Sequence, residues 1–339
     1  MLIGLGLLLA AACVLSFVSE GGLSYHWDWL FLSGLGLFLM GAVAARRLPS
    51  RLQAALTRLT DRGVLVAPPD HLLALEAMLA DRAATWAHRA GLVVAVLLVL
   101  ATLLARGISE LGSSGGLVLV EILAGYTAGR ALGRMAAYGS LGTLLGRLQI
   151  PVQVRPGHLD GAAGLKPVGD LYFFQALLAA LPALFLAAWW VLIPLWPVGW
   201  YARWREPYLA LLAPAIVFEV LAFLVPMWSF HTRMVRQKRD LLREADVLSA
   251  RLDRTPTLLS APTAPPPPEI PADRVAALTQ AYWDIERMPT WPVDVKTWRR
   301  FTLNNLALVL PLLSRAVGAD SLLGRVFELL SGMLKQSTA

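Results

Sequence analysis

Six apolar stretches dominate the chain and limit what it can fold into. A bilayer-crossing helix needs about 20 largely apolar residues, with a usual range of about 17–25. Residues 2–18, 27–45, 90–105, 112–133, 171–196 and 208–230 approach or meet that length. The first has no charge and the second only Asp28, near its edge. The third is short but bounded by Arg89 and Arg106, whose stems can lie along lipid while their heads reach the interface. Hydrophobic residues make up 57% of the 339 positions and charged residues 16%, against roughly 25% charged in soluble domains. These proportions exclude a disordered chain and weigh against a soluble enzyme. The expected fold is all-α: a polytopic membrane bundle of six transmembrane helices with cytoplasmic helices attached.

Orientation follows from basic residues, which collect on the cytoplasmic side of membrane proteins. Residues 46–90 hold seven arginines, 130–170 four arginines and Lys166, and the tail from His231 fifteen Lys or Arg. The opposite side holds Arg106, Arg203 and Arg205. Both termini are therefore expected in the cytoplasm. Trp27, Trp29, Trp189, Trp190, Trp196, Trp200 and Trp204 would form an aromatic belt at the far interface. The net charge of +7 then reports topology and contact with anionic lipid, and no nucleic-acid partner is expected. Cys13 is the only cysteine and the five histidines are scattered, so neither a disulfide framework nor a metal centre is expected. No cofactor is indicated. The stretch at 2–18 lacks the basic n-region of a cleaved signal and reads as a span.

The remaining segments organise around the spans. A transmembrane hairpin covers 1–45. Residues 46–90 read as two amphipathic helices, one capped by Ser50 and ended by Gly63, the next starting after Pro68-Pro69-Asp70. They are either basic surface helices on anionic lipid or a linker pair packed under the spans. A four-helix core spans 91–231, with a cytoplasmic loop at 134–170. Within 232–254, Leu241, Ala245, Leu248 and Leu252 step at coiled-coil spacing for about two heptads. Residues 255–272 form a proline-rich linker, with Pro265 to Pro268 consecutive. In the C-terminal segment 273–339, the apolar run 301–313, broken by Asn304, Asn305 and Pro311, reads as docking at the interface or on the membrane domain; a reentrant or seventh span is the rival.

Three groups could carry function. Glu121 and Glu219 fall inside expected spans, where an ionisable group is costly and a functional candidate. With Arg130 they could line an ion pathway, or be structural, bonding across helices. Gly125, Gly129 and Gly133 recur at four-residue steps, which lets two helix backbones approach. Prolines 182, 194, 214 and 226 predict local kinks in the last two spans. The loop at 150–170 is the densest motif: Arg155, His158, Asp160, Gly161, Gly164, Lys166 and Asp170 could form a structural turn, a gate or ligand site, or a catalytic site. His158 is its natural pH-sensitive element.

This loop resembles the His-Pro-Asp-x-Ala-Gly-Gly-Leu loop of a group of uncharacterised bacterial polytopic membrane proteins. His158, Asp160, Ala162, Gly164 and Leu165 match; Leu159 stands for the proline and Ala163 for the first glycine. Residues 288–313 are similar to the Pro-Phe-Asp plus apolar helix that ends such proteins, with Val293 for the phenylalanine. The resemblance implies a six-span bacterial inner-membrane protein and brings no activity. No nucleophile elbow, phosphate loop, nucleotide fingerprint or zinc-protease helix is present, which weighs against an enzyme. The leading expectation is an oligomeric ion-conducting or membrane-perturbing assembly coupled to a cytoplasmic signal, as in a signalling or defence effector. The rivals are a non-conducting scaffold that docks a cytoplasmic protein, and an interfacial enzyme acting on a lipid-borne substrate.

Overall fold

The computed structural model describes residues 29–106, 115–195, 202, 205–253 and 272–317. The expectations for 2–18, Cys13, the proline run and Trp27, Trp196, Trp200 and Trp204 lie outside the described residues, as does the side chain of Glu121. The described chain is all helical, with one isolated antiparallel bridge, Leu65 to Val152. Its helices are α1 (Trp29–Ala45), α2 (Leu48–Asp61), α3 (Pro69–Arg106), α4 (Gly115–Gly139), α5 (Leu141–Arg147), α6 (Lys166–Leu192), α7 (Arg205–Asp253), α8 (Ala272–Glu286) and α9 (Val295–Val317).

Among them, three carry segments long and apolar enough to cross a membrane: Pro69–Leu100, Lys166–Leu192 and Arg205–Val247. Their burial pattern explains why. Along the first half of α3, Leu75, Leu79, Ala83 and Ala87 are buried at helical spacing. Beyond Gly91 the same helix exposes Leu92, Val93, Val96, Leu97 and Leu100. Helix α7 likewise exposes Leu211, Val217, Phe218, Leu221 and Val225. Apolar surface this extensive is tolerated where the solvent is itself apolar, or where a partner covers it.

Several elements run longer than their sequence patterns suggest. Residues 69–106 form one helix of 38 residues, so the amphipathic stretch and the apolar stretch after it are a single rod. No proline falls between 70 and 106 to interrupt it. Helix α7 has 49 residues and continues through Pro214 and Pro226 into the coiled-coil-like stretch. Pro182 and Pro311 likewise sit inside unbroken helices. Helix α2 starts at Leu48, before Ser50, because Pro49 occupies the first turn, where its fixed φ costs nothing. Ser50 is therefore not the cap; its Oγ donates back to Arg47 O at 3.0 Å. Gly63 at φ +61° ends that helix as its pattern implies.

The principal core lies at the end of the bundle where the arginines gather, termed here the basic end. Leu52, Leu56 and Leu59 of α2, Leu75 and Leu79 of α3, Leu144 and Leu145 of α5, and Tyr172 of α6 pack there against Phe230 and Met234 of α7. The most extensive helix contacts are α3 with α4 and α6 with α7. The glycine stripe makes the first possible. A Cβ on Gly129 would run into the Ala90 carbonyl and lie 2.8 Å from Gly91 Cα; on Gly133 it would meet the Trp86 carbonyl and lie 2.7 Å from Ala87 Cα. On Gly125 it would lie 2.9 Å from Ala95 Cα. All three glycines thus serve backbone contact inside one chain.

Helix α9 returns to the bundle rather than leaving it. Asp294 caps it, accepting from Thr297 N at 3.0 Å, and ties it to α6 through Lys166 Nζ at 2.8 Å. The helix then climbs α7. Phe301 stacks on Phe223 with ring centroids 4.1 Å apart. Asn305 reaches Glu219, and Leu308 joins Leu209, Leu212 and Ile216.

Candidate functional site

Two polar constellations stand out, one inside the apolar part of the bundle and one at the basic end. The first centres on Glu219. It lies midway between Arg205 and Arg233 on α7, about 21 Å from each at 1.5 Å per residue. The residue is 1% exposed. Oε1 accepts from Asn305 Nδ2 at 3.3 Å, and the same amide donates to Phe301 O at 3.1 Å. Among the described residues, Glu219 Oε2 and Asn305 Oδ1 are buried with no hydrogen-bond partner. A carboxylate and an amide carbonyl are both acceptors, so a proton on Oε2 or a small cation would relieve the deficit.

Arg130 is not brought to Glu219. Its guanidinium sits 5.6 Å over the Tyr126 ring, and Tyr126 Oη lies 3.1 Å from His88 Nδ1. Glu121 belongs to α4, outside the described side chains. The residue that sequence reasoning missed is Asn305. It was visible as a break in an apolar run, but its partner could not be found without knowing where α9 docks.

The second constellation is the loop between α5 and α6. The chain leaves α5 through Gln149 at φ +52°, and Gln153 N donates to Val64 O at 2.8 Å beside the Leu65–Val152 bridge. Gln237 of α7 accepts from Val154 N at 3.2 Å and donates to Val152 O at 2.5 Å, locking the strand-like segment onto α7. Arg155 N donates to Ala163 O at 3.0 Å and closes the loop on itself, while the guanidinium of Arg155 lies where a Cβ on Gly63 would go.

Asp160 organises what lies inside that closure. Its side chain is 5% exposed. Oδ1 accepts from Ala162 N and Gly164 N, each at 3.0 Å. Oδ2 accepts from Lys166 N at 3.3 Å, at the start of α6, and from Arg62 Nη1 at 2.6 Å. Arg62 also donates to Gly164 O at 3.2 Å. Burial pushes the Asp160 carboxyl up, but the amides of Gly164 and Ala162, the nearby His158 and the Lys166 amide outweigh it and hold it below the usual carboxylate range. His158 Nδ1 lies 3.2 Å from Asp160 N and 3.0 Å from Oδ1. A neutral ring accepts from the amide there; a protonated one pairs with the carboxylate.

The glycines divide by role. Gly157, Gly161 and Gly164 have φ of +73°, +67° and +89°. Ala163 is also left-handed, at φ +52°. Lys166 joins the C-terminal segment through Asp294, and Asp170 lies on the same first turns of α6, among Lys166, Arg58 and Arg51. Asp294 is likewise raised by burial, yet Lys166 and Thr297 hold it below the usual range. Beside this ion pair, His231 stacks on Trp291 with centroids 4.3 Å apart and donates from Nδ1 to Thr290 O at 2.8 Å. Lys238 Nζ donates to Glu286 O at 2.6 Å and Met288 O at 2.9 Å. Residues 286–294 are thereby strapped across α6 and α7. Arg62, Asp294, His231, Trp291 and Lys238 were not legible as site residues, because each acts through a residue distant in sequence.

The arrangement is better at holding than at reacting. The Asp160 carboxylate accepts three amides and a guanidinium, so it offers little to a substrate. Among the described residues, no three His, Cys, Asp or Glu side chains gather as metal ligands. No protein-family model, curated protein or solved structure matches this chain.

Proposed function

We propose that the protein is an ion-conducting membrane protein in which the C-terminal arm, residues 286–317, seals a mid-bilayer carboxyl site. The observation that carries this reading is Glu219: buried halfway along an apolar helix, with one carboxyl oxygen unpartnered among the described residues and the other held by an amide of the arm. Displacing α9 would remove the Asn305 contact and open Glu219 to a proton or small cation. The strap over α6 and α7 links that event to the loop at 150–170, where a cytoplasmic signal or partner would act.

The reading includes six spans, with α1, α3, α4, α6, α7 and the stretch at 2–18 crossing a bacterial inner membrane and the N-terminus inside; α9, running antiparallel to α7 past the level of Glu219, is then a seventh membrane-embedded helix, the rival weighed for 301–313. The basic end would face anionic lipid. Homo-oligomerisation would occur through the exposed apolar faces, not through a ring of Glu219 side chains, because Glu219 faces α9 of its own chain. The resemblance of the loop at 150–170 to that of polytopic bacterial membrane proteins supports this layout. An interfacial enzyme built on His158 and Asp160 is disfavoured by the saturated carboxylate.

The test is flux in proteoliposomes. The full chain should pass protons or monovalent cations when the arm is released by Trp291→Ala, and Glu219→Gln in that background should cut flux at least tenfold. Glu121→Gln measures whether the second expected carboxylate contributes. Absence of flux with the arm released would remove the conduction reading and leave a non-conducting scaffold.

A further inference from the structure

At the basic end, α5, the segment after it and α7 line an open cleft of about 310 Å³. Arg233, Arg236, Gln149 and Gln237 line it together with Gly146. It holds two guanidinium groups and no carboxylate. The charge that acts on Arg233 is Arg236, of the same sign. Neither arginine forms a salt bridge among the described residues. Arg233 is half-buried and fixed: its Nη2 donates to Gly142 O at 2.7 Å. A Cβ on Gly146 would lie 2.8 Å from that nitrogen, so the missing side chain is what admits the guanidinium. Gln149 sits at φ +52°, a helix-ending position where glycine is the usual residue. A longer polar side chain stands there at some conformational cost.

Arg236 is exposed, about one turn along α7 from Arg233; two guanidinium groups with no salt-bridge partner among the described residues call for an anion, and a guanidinium held in place, as that of Arg233 is, favours phosphate oxygens. The depth agrees. With Glu219 at mid-bilayer, Arg233 lies about 21 Å away along α7, in the headgroup layer of a membrane about 40–45 Å thick overall. We infer that this cleft binds a phosphate group, with Arg233 and Arg236 as its ligands and Gln149 at its rim. The depth argument rests on the membrane reading; the cleft itself does not depend on ion conduction.

The experiment uses the full chain in phosphatidylcholine nanodiscs, titrated separately with short-chain phosphatidylglycerol and with inorganic phosphate, and read by native mass spectrometry and calorimetry. Saturable one-to-one binding is expected, weakened about tenfold or more in Arg236→Gln, a residue that makes no hydrogen bond among the described residues. Gly146→Leu should weaken it without changing charge. Tighter binding of the lipid assigns the site to a headgroup; equal or tighter binding of inorganic phosphate assigns it to a soluble anion. Either supports the inference. Wild-type binding by both variants, or an equal loss in the exposed control pair Arg239→Gln and Arg243→Gln, would overturn it. Flux through Glu219 is a separate assay, so the two readings fail separately.

Discussion

Asp160→Asn isolates what the loop's central carboxylate contributes. The amide is nearly isosteric, and its oxygen can still accept from Ala162 N and Gly164 N. The new NH2 replaces Oδ2, where Arg62 Nη1 stands at 2.6 Å and Lys166 N at 3.3 Å, both donors. A hydrogen bond to a charged group is worth about 1.5–3 kcal/mol and an ordinary one about 0.5–1.5 kcal/mol. The expected loss is therefore about 3 kcal/mol. Equilibrium unfolding in micelles, followed by tryptophan fluorescence, measures it. A cycle with Arg62→Gln should reveal coupling of at least about 1 kcal/mol, since the two side chains bond directly. The pH dependence has a fixed sign. The folded pKa is depressed, so the carboxylate's contribution is complete above the unfolded value near 3.9. It is lost as pH falls through the lower folded value, and Asp160→Asn should lose that acid-limb dependence. A change within about 0.5 kcal/mol of wild type, with an unaltered acid limb, would refute the hub.

Other substitutions test the packing. Gly133→Val places a side chain into the Trp86 carbonyl and should separate α3 from α4, costing several kcal/mol, roughly 3 or more as overpacking goes, or abolishing expression; Gly36→Val, with open space around it, is the control. Gly164→Ala combines φ +89° with a methyl 2.7 Å from Val64 Cγ2 and should cost about 1–3 kcal/mol. Ala163→Gly relieves φ +52° and should stay within about 1 kcal/mol of wild type, on the stabilising side if strain outweighs chain entropy. Unfolding midpoints of this pair decide whether the loop is held by backbone conformation.

The helical class, the apolar stretches and the basic flanks were legible because each is a local pattern in composition and period. Gly129 and Gly133 were legible as packing residues because four-residue spacing puts them on one helix face. Their partner was not, since nothing local says that α3 supplies Trp86 and Ala90. The same limit hid Asn305. An amide in an apolar run reads as an interruption until α9 is folded back against Glu219. Ser50 misled for a local reason, because Pro49 takes the first helical turn and leaves the serine inside the helix. The loop's residues were found as a cluster, but its order comes from Arg62, almost a hundred residues earlier. Helix α3 reads as two elements in sequence because an amphipathic pattern gives way to an apolar run near residue 90, while its backbone continues unbroken.

Depth measurement by spin labelling tests the central claim that α9 lies within the membrane beside α7. With Cys13 replaced by alanine, a nitroxide is placed at Leu306, 58% exposed on the outer face of α9, and separately at Val295, 84% exposed and about three turns earlier, roughly 15 Å from the level of Glu219. In liposomes, the label at 306 should relax with oxygen and be shielded from an aqueous nickel chelate, while the label at 295 should respond to the chelate. Equal access of the chelate to both positions would contradict the account, because an arm lying in water cannot seal a carboxyl at the middle of a bilayer.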